Sequence, residues 1–193
     1  IRGQLGATIM GMLSANAASG SDMPELDITR VEQVRSAIGV AGPDVVIHCA
    51  AFTDVDGCAR DPEKAQLVNV TGTRNVAVAC AEHGVAMVLL SSNEVFDGRS
   101  AVPYIETDEP APINPYGQSK LAAEQLTREL LERHFIVRTS WMYAAGGANF
   151  VHVIRRLAES HDPLAIVTDE LGVPTYAPDL ARAILALVEI APH

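Results

Sequence analysis

The sequence predicts an α/β protein with a doubly wound parallel β-sheet, in which helices cover both faces of the sheet. Strand-like and helix-like segments alternate along the chain. Residues 45–50 and 85–90 are continuous apolar runs, as expected of strands that are buried on both sides. A long helix is predicted between them, because Asp61-Pro62 is a helix start and Gly84 is a helix end.

Local signals predict the other elements of the first half. Residues 5–18 are predicted to form the first helix. Thr29 and Glu32 have the spacing of a capping box, which predicts a second helix to about Ile38. Residues 20–24 are turn-like, so a strand between these two helices is hard to identify.

The second half continues the alternation. Asn114 is a good N-cap and Pro115 suits a first helical turn, so a helix is predicted from here to about residue 133. Residues 135–139 form the next predicted strand. Asn149 is expected to cap a helix with residues 150, 153, 154 and 157 on one apolar face. A short strand is predicted at 164–167, and Pro178-Asp179 begins the last helix.

The composition is that of one globular domain. The chain has 193 residues, of which 48% are hydrophobic and 20% charged, and a formal charge of −10. This charge disfavours nucleic acid and anionic membranes as partners, since both need a basic face. No apolar run is long enough for a membrane span and no signal-peptide pattern occurs, so we expect a cytoplasmic protein.

The cysteines predict neither disulfides nor a metal site. Cys49, Cys58 and Cys80 form no CxxC pair, and we interpret them as reduced, mostly buried thiols. A metal site built from Cys58 and a distant histidine lacks the usual ligand spacing. We therefore predict no metal ligands.

Tyr116 and Lys120 stand four residues apart near the start of a predicted helix, which places them on one helix face. A cation beside a phenol favours phenolate and lowers a pKa that is normally about 10. Tyr116 is therefore a candidate proton donor for reducing a carbonyl group, with Ser92 at the end of an earlier apolar run. The alternative is an ordinary amphipathic helix that carries a Tyr and a Lys by chance.

Gly3 and Gly6 stand at the mouth of the first predicted helix. Glycines here would let the backbone approach a pyrophosphate, whose charge the free N–H groups of the helix would stabilise. A simple glycine turn explains the same residues equally well. No strand precedes Gly3 and little follows the last helix, so we expect the natural protein to have an N-terminal strand, a fuller second strand and a C-terminal portion beyond this chain.

Together these features resemble the extended short-chain dehydrogenase/reductase family and, within it, the dTDP-4-dehydrorhamnose reductases. The resemblance implies a Rossmann-like NAD(P)-binding domain over residues 1–193, with 141–193 leading into an incomplete substrate-binding portion. It rests on ordered motifs along nearly the whole chain: Gly3-Gln4-Leu5-Gly6, Leu26-Asp27-Ile28-Thr29, Pro43-Asp44-Val45-Val46-Ile47, Ala50-Ala51-Phe52-Thr53-Asp54-Val55-Asp56, Val68-Asn69-Val70, Ser91-Ser92-Asn93-Glu94-Val95-Phe96-Asp97-Gly98, Asn114-Pro115-Tyr116-Gly117-Gln118-Ser119-Lys120, Arg138-Thr139-Ser140-Trp141-Met142-Tyr143 and Gly172-Val173-Pro174-Thr175.

The resemblance also implies a set of residues that bind NADPH or NADH. Gly3, Gln4 and Leu5 are expected near the pyrophosphate, and Asp27 and Ile28 beside the adenine. Ala51, Phe52 and Thr53 are expected along the nicotinamide half, and Leu90 ends the strand below the cofactor. Plain core packing is the alternative for Ala51, Phe52 and Leu90. For Asp27 the alternative is a role at the start of the second helix.

By the same resemblance, Tyr116 gives its proton to the forming alkoxide, and Lys120 holds the nicotinamide ribose and lowers the tyrosine pKa. Ser92 bonds the carbonyl oxygen, while Asn93 and Trp141 contact the sugar. For Trp141 the alternative is core packing.

Asn69 is expected to support the Lys120 region through water. A solvent-facing helix residue is its alternative.

Three points stay open. The family usually has Thr at the place of Ser92, a change that keeps the hydroxyl, and commonly Asp-Tyr at the place of Asn93-Glu94. The loss of the Asp carboxylate alters one substrate contact and leaves the exact sugar open. The choice between NADH and NADPH depends on the second strand, where the sequence is uninformative. A homodimer is an option, but the parts of the family's Mg²⁺-linked dimer are not identifiable here.

The predicted activity is reduction of a dTDP-4-keto-6-deoxyhexose in dTDP-rhamnose biosynthesis. Two alternatives remain. One is a ketoreductase for another deoxysugar, and the other is a non-catalytic dinucleotide-binding subunit like the regulatory subunit of methionine adenosyltransferase.

Overall fold

The computed structural model describes residues 2–14, 17–146, 149–160, 163–166 and 171–190. A π-helical segment, Gln66–Thr71, joins α4 to α5, and a 3₁₀ turn, Asn93–Val95, follows β2. The helices are α1 (Gln4–Met12), α2 (Val31–Ala41), α3 (Val55–Arg60), α4 (Pro62–Ala65), α5 (Gly72–His83), α6 (Pro115–Leu130), α7 (Phe150–Ser160) and α8 (Ala177–Glu189). The strands are β1 (Val45–His48), β2 (Ala86–Ser92), β3 (His134–Thr139), β4 (Met142–Tyr143) and β5 (Thr175–Tyr176).

The central sheet is parallel, with the strand order β1-β2-β3. In its register, Val45 of β1 lies beside Ala86 of β2, and Met87 of β2 lies beside His134 of β3. Every residue of β2 is buried, as the apolar run predicted for a strand covered on both faces. The carboxyl ends of these strands therefore meet at one edge of the sheet.

Helices cover both faces, which confirms the doubly wound α/β fold. Alternate side chains of β2 point to opposite faces. Met87 and Leu89 pack with α2 and α5 on one face. Val88 and Leu90 pack with α1 and α8 on the other.

Some predicted boundaries in the first half are wrong. Helix α1 ends at Met12, because Leu13 is extended and packs beside the core, and a turn closes from the N–H of Ala17 to the carbonyl of Ser14. Strand β1 ends at His48 rather than at residue 50. The Asn16 position and its predecessor lie outside the described residues.

The predicted capping box at Thr29 is also wrong. Arg30 is the N-cap of α2 and makes no side-chain cap bond. The Thr29 hydroxyl instead donates to Oδ1 of Asp27 at 2.7 Å, so it does not cap the helix. The helix continues past Ile38 to Ala41 and ends where Gly42 takes a left-handed φ of 52°.

The predicted helix between the first two strands is present as one continuous helical stretch, α4 to α5. Its start at Asp61-Pro62 is confirmed, since the Asp61 carboxylate accepts the N–H of Lys64 at 3.0 Å. Its end at Gly84 is confirmed by a left-handed φ of 66°. The π-helical turn in the middle was not predicted, and it brings Asn69 to face the interior.

The C-terminal part departs further from the prediction. Helix α6 ends at Leu130 rather than near residue 133. Residues 164–166 form no strand, and Val167 lies outside the described residues. The small parallel sheet β4-β5 was not predicted. Asn149 does cap α7, accepting the N–H of His152 at 3.1 Å, but no residue of that helix is buried.

Three further features bear on the sequence predictions. Across the described ranges, no helix combines the length and apolar character needed to cross a membrane. Cys49, Cys58 and Cys80 are free thiols, and the last two are buried. Within the part of the chain that the structure describes, no group of three or more His, Cys, Asp or Glu is placed to hold a metal ion.

Candidate active site

The three predicted catalytic residues lie where the carboxyl end of β2 approaches the first turns of α6. Ser92 is the last residue of β2, and Tyr116 lies in the first turn of α6. Lys120 follows one helical turn later on the same face. All three are buried, with exposed fractions of 6%, 9% and 3% in that order. The fold thus brings a hydroxyl, a phenol and an ammonium group to one edge of the sheet.

Ser92 faces Tyr116 and is held by the 3₁₀ turn that follows it. Its Oγ accepts the N–H of Glu94 at 3.2 Å and donates to Oδ1 of Asn93 at 3.3 Å. The same hydroxyl lies near the phenol of Tyr116 and acts to lower its pKa. An oxygen atom of a ligand placed between the two hydroxyls would contact both, which is an arrangement suited to a carbonyl group.

The predicted effect of Lys120 on Tyr116 is wrong in this structure. Burial raises the pKa of Tyr116 above its ordinary value of 10.0, and the influence of the nearby Ser92 hydroxyl only partly offsets this. The Lys120 ammonium points elsewhere, because its Nζ donates to the carbonyl oxygen of Leu90 at 2.6 Å. Tyr116 is therefore protonated at neutral pH, and its phenol is able to donate a proton.

Lys120 itself is a strongly perturbed base. Burial lowers the pKa of Lys120 to about 8, although the negative charge of Glu124 opposes the shift. Burial and the nearby Lys120 charge lower the pKa of His48 to about 3, so the imidazole is neutral. An ammonium has three N–H donors, and those not directed at Leu90 are suited to the hydroxyl groups of a ligand.

Helix α6 begins in direct contact with the turn after Ser92. The predicted N-cap is confirmed, since Oδ1 of Asn114 accepts the N–H of Gly117 at 2.7 Å. The other side-chain atom, Nδ2 of Asn114, donates to Oε2 of Glu94 at 2.7 Å. A Cβ atom at residue 117 would overlap the carbonyl oxygen of Glu94, so only glycine permits this approach.

Glu94 and Gly117 are therefore parts of the site that we did not identify from the sequence. The signal for Gly117 was its place between Tyr116 and Lys120, where a glycine weakens a helix and needs a packing reason. For Glu94 the sequence showed only a departure from the family pattern.

Asn69 joins the segment after β1 to helix α6. Its side chain is fully buried, which contradicts the solvent-facing alternative. Oδ1 accepts the N–H of Phe52 at 2.7 Å, and Nδ2 donates to the Phe52 carbonyl at 3.0 Å and to Oγ of Ser119 at 2.9 Å. Ser119 in turn donates to the carbonyl of Tyr116 at 2.7 Å. Asn69 thus fixes the predicted nicotinamide-side segment against the tyrosine helix.

The amino end of α1 fits an anionic group. The first hydrogen bond of the helix runs from the N–H of Ala7 to the carbonyl of Gly3 at 3.0 Å. The N–H groups of the residues before Ala7 in the first turn therefore make no bond within the helix. A Cβ atom at Gly3 would meet nothing within 4 Å, which shows open space beside it. The Gln4 side chain donates to the Gly146 carbonyl at 2.9 Å, and Leu5 is a core residue. The groups that Gln4 and Leu5 leave for a ligand are therefore their backbone N–H groups rather than their side chains, and their contact with a pyrophosphate stays a prediction.

Asp27 and Ile28 are held at the turn before α2. Oδ1 of Asp27 accepts both the N–H and the hydroxyl of Thr29, which matches the alternative of a role near this helix start. The Ile28 side chain packs on Gly72, where a Cβ atom would clash with it. Asn75 donates to the Ile28 carbonyl at 2.9 Å. Their predicted place beside an adenine stays a prediction.

The predicted nicotinamide-side residues lie beside the same sheet edge. Ala51 and Phe52 are half-buried and Thr53 is exposed. The Phe52 ring lies under the Lys64 ammonium, 4.4 Å from its centroid. Leu90 is buried, as its core alternative proposed, and its carbonyl also binds Lys120.

Trp141 has a backbone φ of 41°, which is uncommon for a bulky residue and is found mostly where surrounding contacts impose it. Its indole lies over Gly172, where a Cβ atom would overlap the ring, and 5.0 Å from the Phe150 ring centroid. The side chain is half-buried. Trp141 thus packs against neighbours and still presents a partly open indole surface.

The chain is similar in sequence to proteins of known name. The chain is 42% identical over 196 residues to dTDP-4-dehydrorhamnose reductase of Mycobacterium tuberculosis (strain ATCC 25618 / H37Rv), covering 97% of this chain and 63% of that protein. It is 41% identical over 164 residues to dTDP-4-dehydrorhamnose reductase of Sinorhizobium fredii, covering 85% of this chain and 55% of that protein. The chain therefore spans 55% to 63% of the length of these two relatives.

A solved structure and a protein family complete the comparison. The crystal structure of dTDP-4-dehydrorhamnose reductase from Bacillus anthracis, in complex with NADP, superposes with a TM-score of 0.93 at 40% identity. The superposition covers 98% of this chain and 68% of that one, which agrees with a Rossmann-like fold. The protein family described as RmlD substrate binding domain matches residues 1–193. The chain belongs to this RmlD family.

Proposed function

We propose that the protein reduces the 4-keto group of a dTDP-6-deoxyhexose with NADPH or NADH, converting dTDP-4-dehydro-L-rhamnose to dTDP-L-rhamnose. The observation that carries this proposal is the meeting of three buried groups at the sheet edge: Ser92 at the end of β2, Tyr116 in the first turn of α6, and Lys120 one helical turn later. Relatives named dTDP-4-dehydrorhamnose reductase support the substrate class, and a similar structure in complex with NADP supports the cofactor.

The cofactor, when bound, supplies the hydride for the substrate carbon. Its pyrophosphate fits the amino end of α1, where Gly3, Gln4 and Leu5 offer backbone N–H groups beside open space. Asp27 and Ile28 would lie beside the adenine.

The nicotinamide half of the cofactor would lie along the segment that Asn69 holds against α6. Ala51, Phe52 and Thr53 form this segment, with Leu90 at the strand below. Lys120 would bind the ribose hydroxyls with the N–H donors that do not point at Leu90.

The proton comes from the protein. Tyr116 gives its phenolic proton to the substrate oxygen as that oxygen becomes negative, and the phenol is protonated at neutral pH. Ser92 would turn its hydroxyl proton from Asn93 to the same oxygen, and this hydrogen bond would stabilise the developing charge. Asn93, next to Ser92, and the partly open face of Trp141 would contact the sugar.

The family resemblance also bears on the domain organisation. We place the dinucleotide-binding part in the parallel sheet and its helices, and we assign residues 141–193 to the beginning of a substrate-binding portion. Trp141 stands at the boundary between the two, between β3 and β4 and directly before β4. For the oligomeric state we propose a homodimer, which analytical ultracentrifugation would test.

The test is a reduction assay with the protein in its natural full length, NADPH or NADH, and freshly prepared dTDP-4-dehydro-L-rhamnose. We expect substrate-dependent loss of nicotinamide absorbance, and a fall of about 10²- to 10⁴-fold in kcat for Tyr116→Phe. Tyr176→Phe is the matched control, because Tyr176 is exposed and its ring contacts Tyr143 rather than the site.

Three outcomes separate the alternatives. Oxidation with another 4-keto sugar, but not with this one, would assign the protein to a different deoxysugar. Nucleotide binding with no oxidation of either nucleotide would support a regulatory subunit. Full activity of Tyr116→Phe would remove Tyr116 as the proton donor.

A further inference from the structure

Glu94 contacts both the end of β2 and the start of α6, the two elements that carry Ser92 and Tyr116. Its N–H donates to Oγ of Ser92 at 3.2 Å, and its carbonyl oxygen lies against Gly117. Its carboxylate accepts Nδ2 of Asn114 at 2.7 Å and Nδ2 of Asn93 at 3.3 Å. One residue therefore joins the end of β2 to the N-cap of α6.

We propose that Glu94 is a positioning residue that sets the separation of Ser92 and Tyr116 by tying the turn after β2 to the N-cap of α6. The hydrogen bond between Glu94 and Asn114, called the tie below, is independent of the proposed function. Only its consequence for catalysis rests on that function. Glu94 has no contact with the substrate in this proposal. It acts through Asn114, whose other side-chain atom caps Gly117, the residue next to Tyr116.

The geometry explains why a carboxylate suits this position. Asn114 uses Oδ1 for the helix cap, so only its Nδ2 donor is left for a contact with the turn. A partner on the turn must therefore accept a hydrogen bond, and a carboxylate accepts strongly through both oxygens. The second oxygen binds Asn93, the residue expected to contact the sugar. Glu94 thus orients the sugar contact and the tyrosine helix together.

Two single variants break the tie by different routes. Glu94→Ala removes the acceptor. Asn114→Asp keeps an oxygen for the cap to Gly117 but loses the Nδ2 donor and places two carboxylates together. We expect each to lower kcat by about 100-fold, the scale of a 1 Å misplacement, with little change in the dissociation constant for NADPH.

The double variant Glu94→Gln with Asn114→Asp supplies the rescue. The glutamine amide donates to the new carboxylate, so the hydrogen bond is restored with its direction reversed, while its oxygen still accepts from Asn93. We expect this double variant to recover most of the activity that Asn114→Asp loses. Glu129→Gln, on the exposed side of α6, is the control and should leave kcat unchanged.

Amide hydrogen exchange measures the tie without any assay of activity. Exchange of the Gly117 amide should be faster in Glu94→Ala and in Asn114→Asp, and should return toward the wild-type rate in the double variant. Global unfolding by urea, measured in parallel, shows whether a variant has lost its fold as a whole.

The outcomes are distinguishable. Wild-type protein without reductase activity overturns the proposed function. The exchange rates of the Gly117 amide still test whether Glu94 holds the N-cap of α6 in place. Active wild-type protein with unchanged kcat and unchanged exchange in Glu94→Ala overturns the positioning role alone. A double variant no better than Asn114→Asp also overturns it.

Discussion

The carbonyl oxygen of Glu94 lies so close to Cα of Gly117 that a Cβ atom at residue 117 would overlap it. This contact lets the first turn of α6 sit directly on the turn that follows β2. It brings Tyr116, the residue before Gly117, near Ser92, whose hydroxyl acts to lower the pKa of the phenol. The absence of a side chain at residue 117 therefore allows Ser92 and Tyr116 to lie close together.

Gly117→Ala is predicted to separate the two hydroxyl groups. The added methyl group forces the first turn of α6 away from Glu94, at a cost of about 1–3 kcal/mol in the free energy of unfolding. Displacement of Tyr116 should lower kcat by about 100-fold. Urea unfolding and steady-state kinetics measure the two effects.

Gly11→Ala is the matched control for this change. Gly11 is also helical, but a Cβ atom there would meet nothing within 4 Å. We expect about 0.8–1.0 kcal/mol of stabilisation from helix propensity and an unchanged kcat. Wild-type kcat in Gly117→Ala would contradict the role of this close contact.

Lys120 is predicted to make the nucleotide-free protein more stable as the pH rises above about 8. Its pKa is lowered by burial from 10.5 to about 8 in the folded state, so the folded protein binds fewer protons than the unfolded chain between these values. This contribution to stability is fully present above the unfolded pKa and is lost as the pH falls through the folded pKa.

Comparison with Lys120→Met isolates that contribution. The free energy of unfolding of the wild type should increase relative to the variant by up to about 1.4 kcal/mol per pH unit in this window. Urea unfolding at pH 7, 8.5 and 10 measures it. A difference between the two proteins that is constant with pH would contradict the lowered pKa.

The buried pair of Glu124 and Arg138 is predicted to stabilise the junction of α6 and β3. The Glu124 side chain is 0% exposed and accepts Nε and Nη2 of Arg138 at 2.9 and 2.7 Å, and Nη2 of Arg128 at 3.0 Å. Burial opposes ionisation of Glu124, but these bonds outweigh it and hold its pKa below the ordinary 4.5. Its stabilisation is therefore present above 4.5 and is lost as the pH falls through the lowered value.

Arg138→Met should cost about 3–5 kcal/mol at pH 7, because it leaves a buried carboxylate with one partner fewer. The loss should become smaller at acidic pH, where Glu124 can protonate. Arg155→Met is the surface control, since the pair of Arg155 and Glu159 is exposed and should contribute less than about 1 kcal/mol. Equal costs for the two variants in urea unfolding would contradict the importance of burial.

Gly172→Ala is predicted to displace the indole of Trp141. A Cβ atom at residue 172 would overlap the ring, which also packs near Phe150. If Trp141 contacts the sugar, the variant should raise KM for the sugar nucleotide and leave the dissociation constant for NADPH unchanged. A variant in which both constants equal those of the wild type would leave Trp141 with a packing role only.

Local signals in the sequence were sufficient for much of the fold and for the outline of the site. The apolar run that became β2 and the cap at Asn114 depend on near neighbours in the chain, so periodicity and capping rules predicted them. The spacing of Tyr116 and Lys120 set their shared helix face, because helix geometry repeats over a few residues. Even so, the capping rule failed at Thr29, whose hydroxyl bonds Asp27 instead.

Contacts between distant segments decided the rest. The pKa of Tyr116 is raised rather than lowered, because burial by several elements outweighs the influence of Ser92, while the Lys120 ammonium binds the Leu90 carbonyl instead. The buried amide of Asn69 and the tie from Glu94 to Asn114 likewise exist only once separate elements pack together. The sequence by itself determined which groups stand at the sheet edge; the tertiary structure decided their protonation and mutual orientation, since desolvation and long-range hydrogen bonds depend on the whole packed fold.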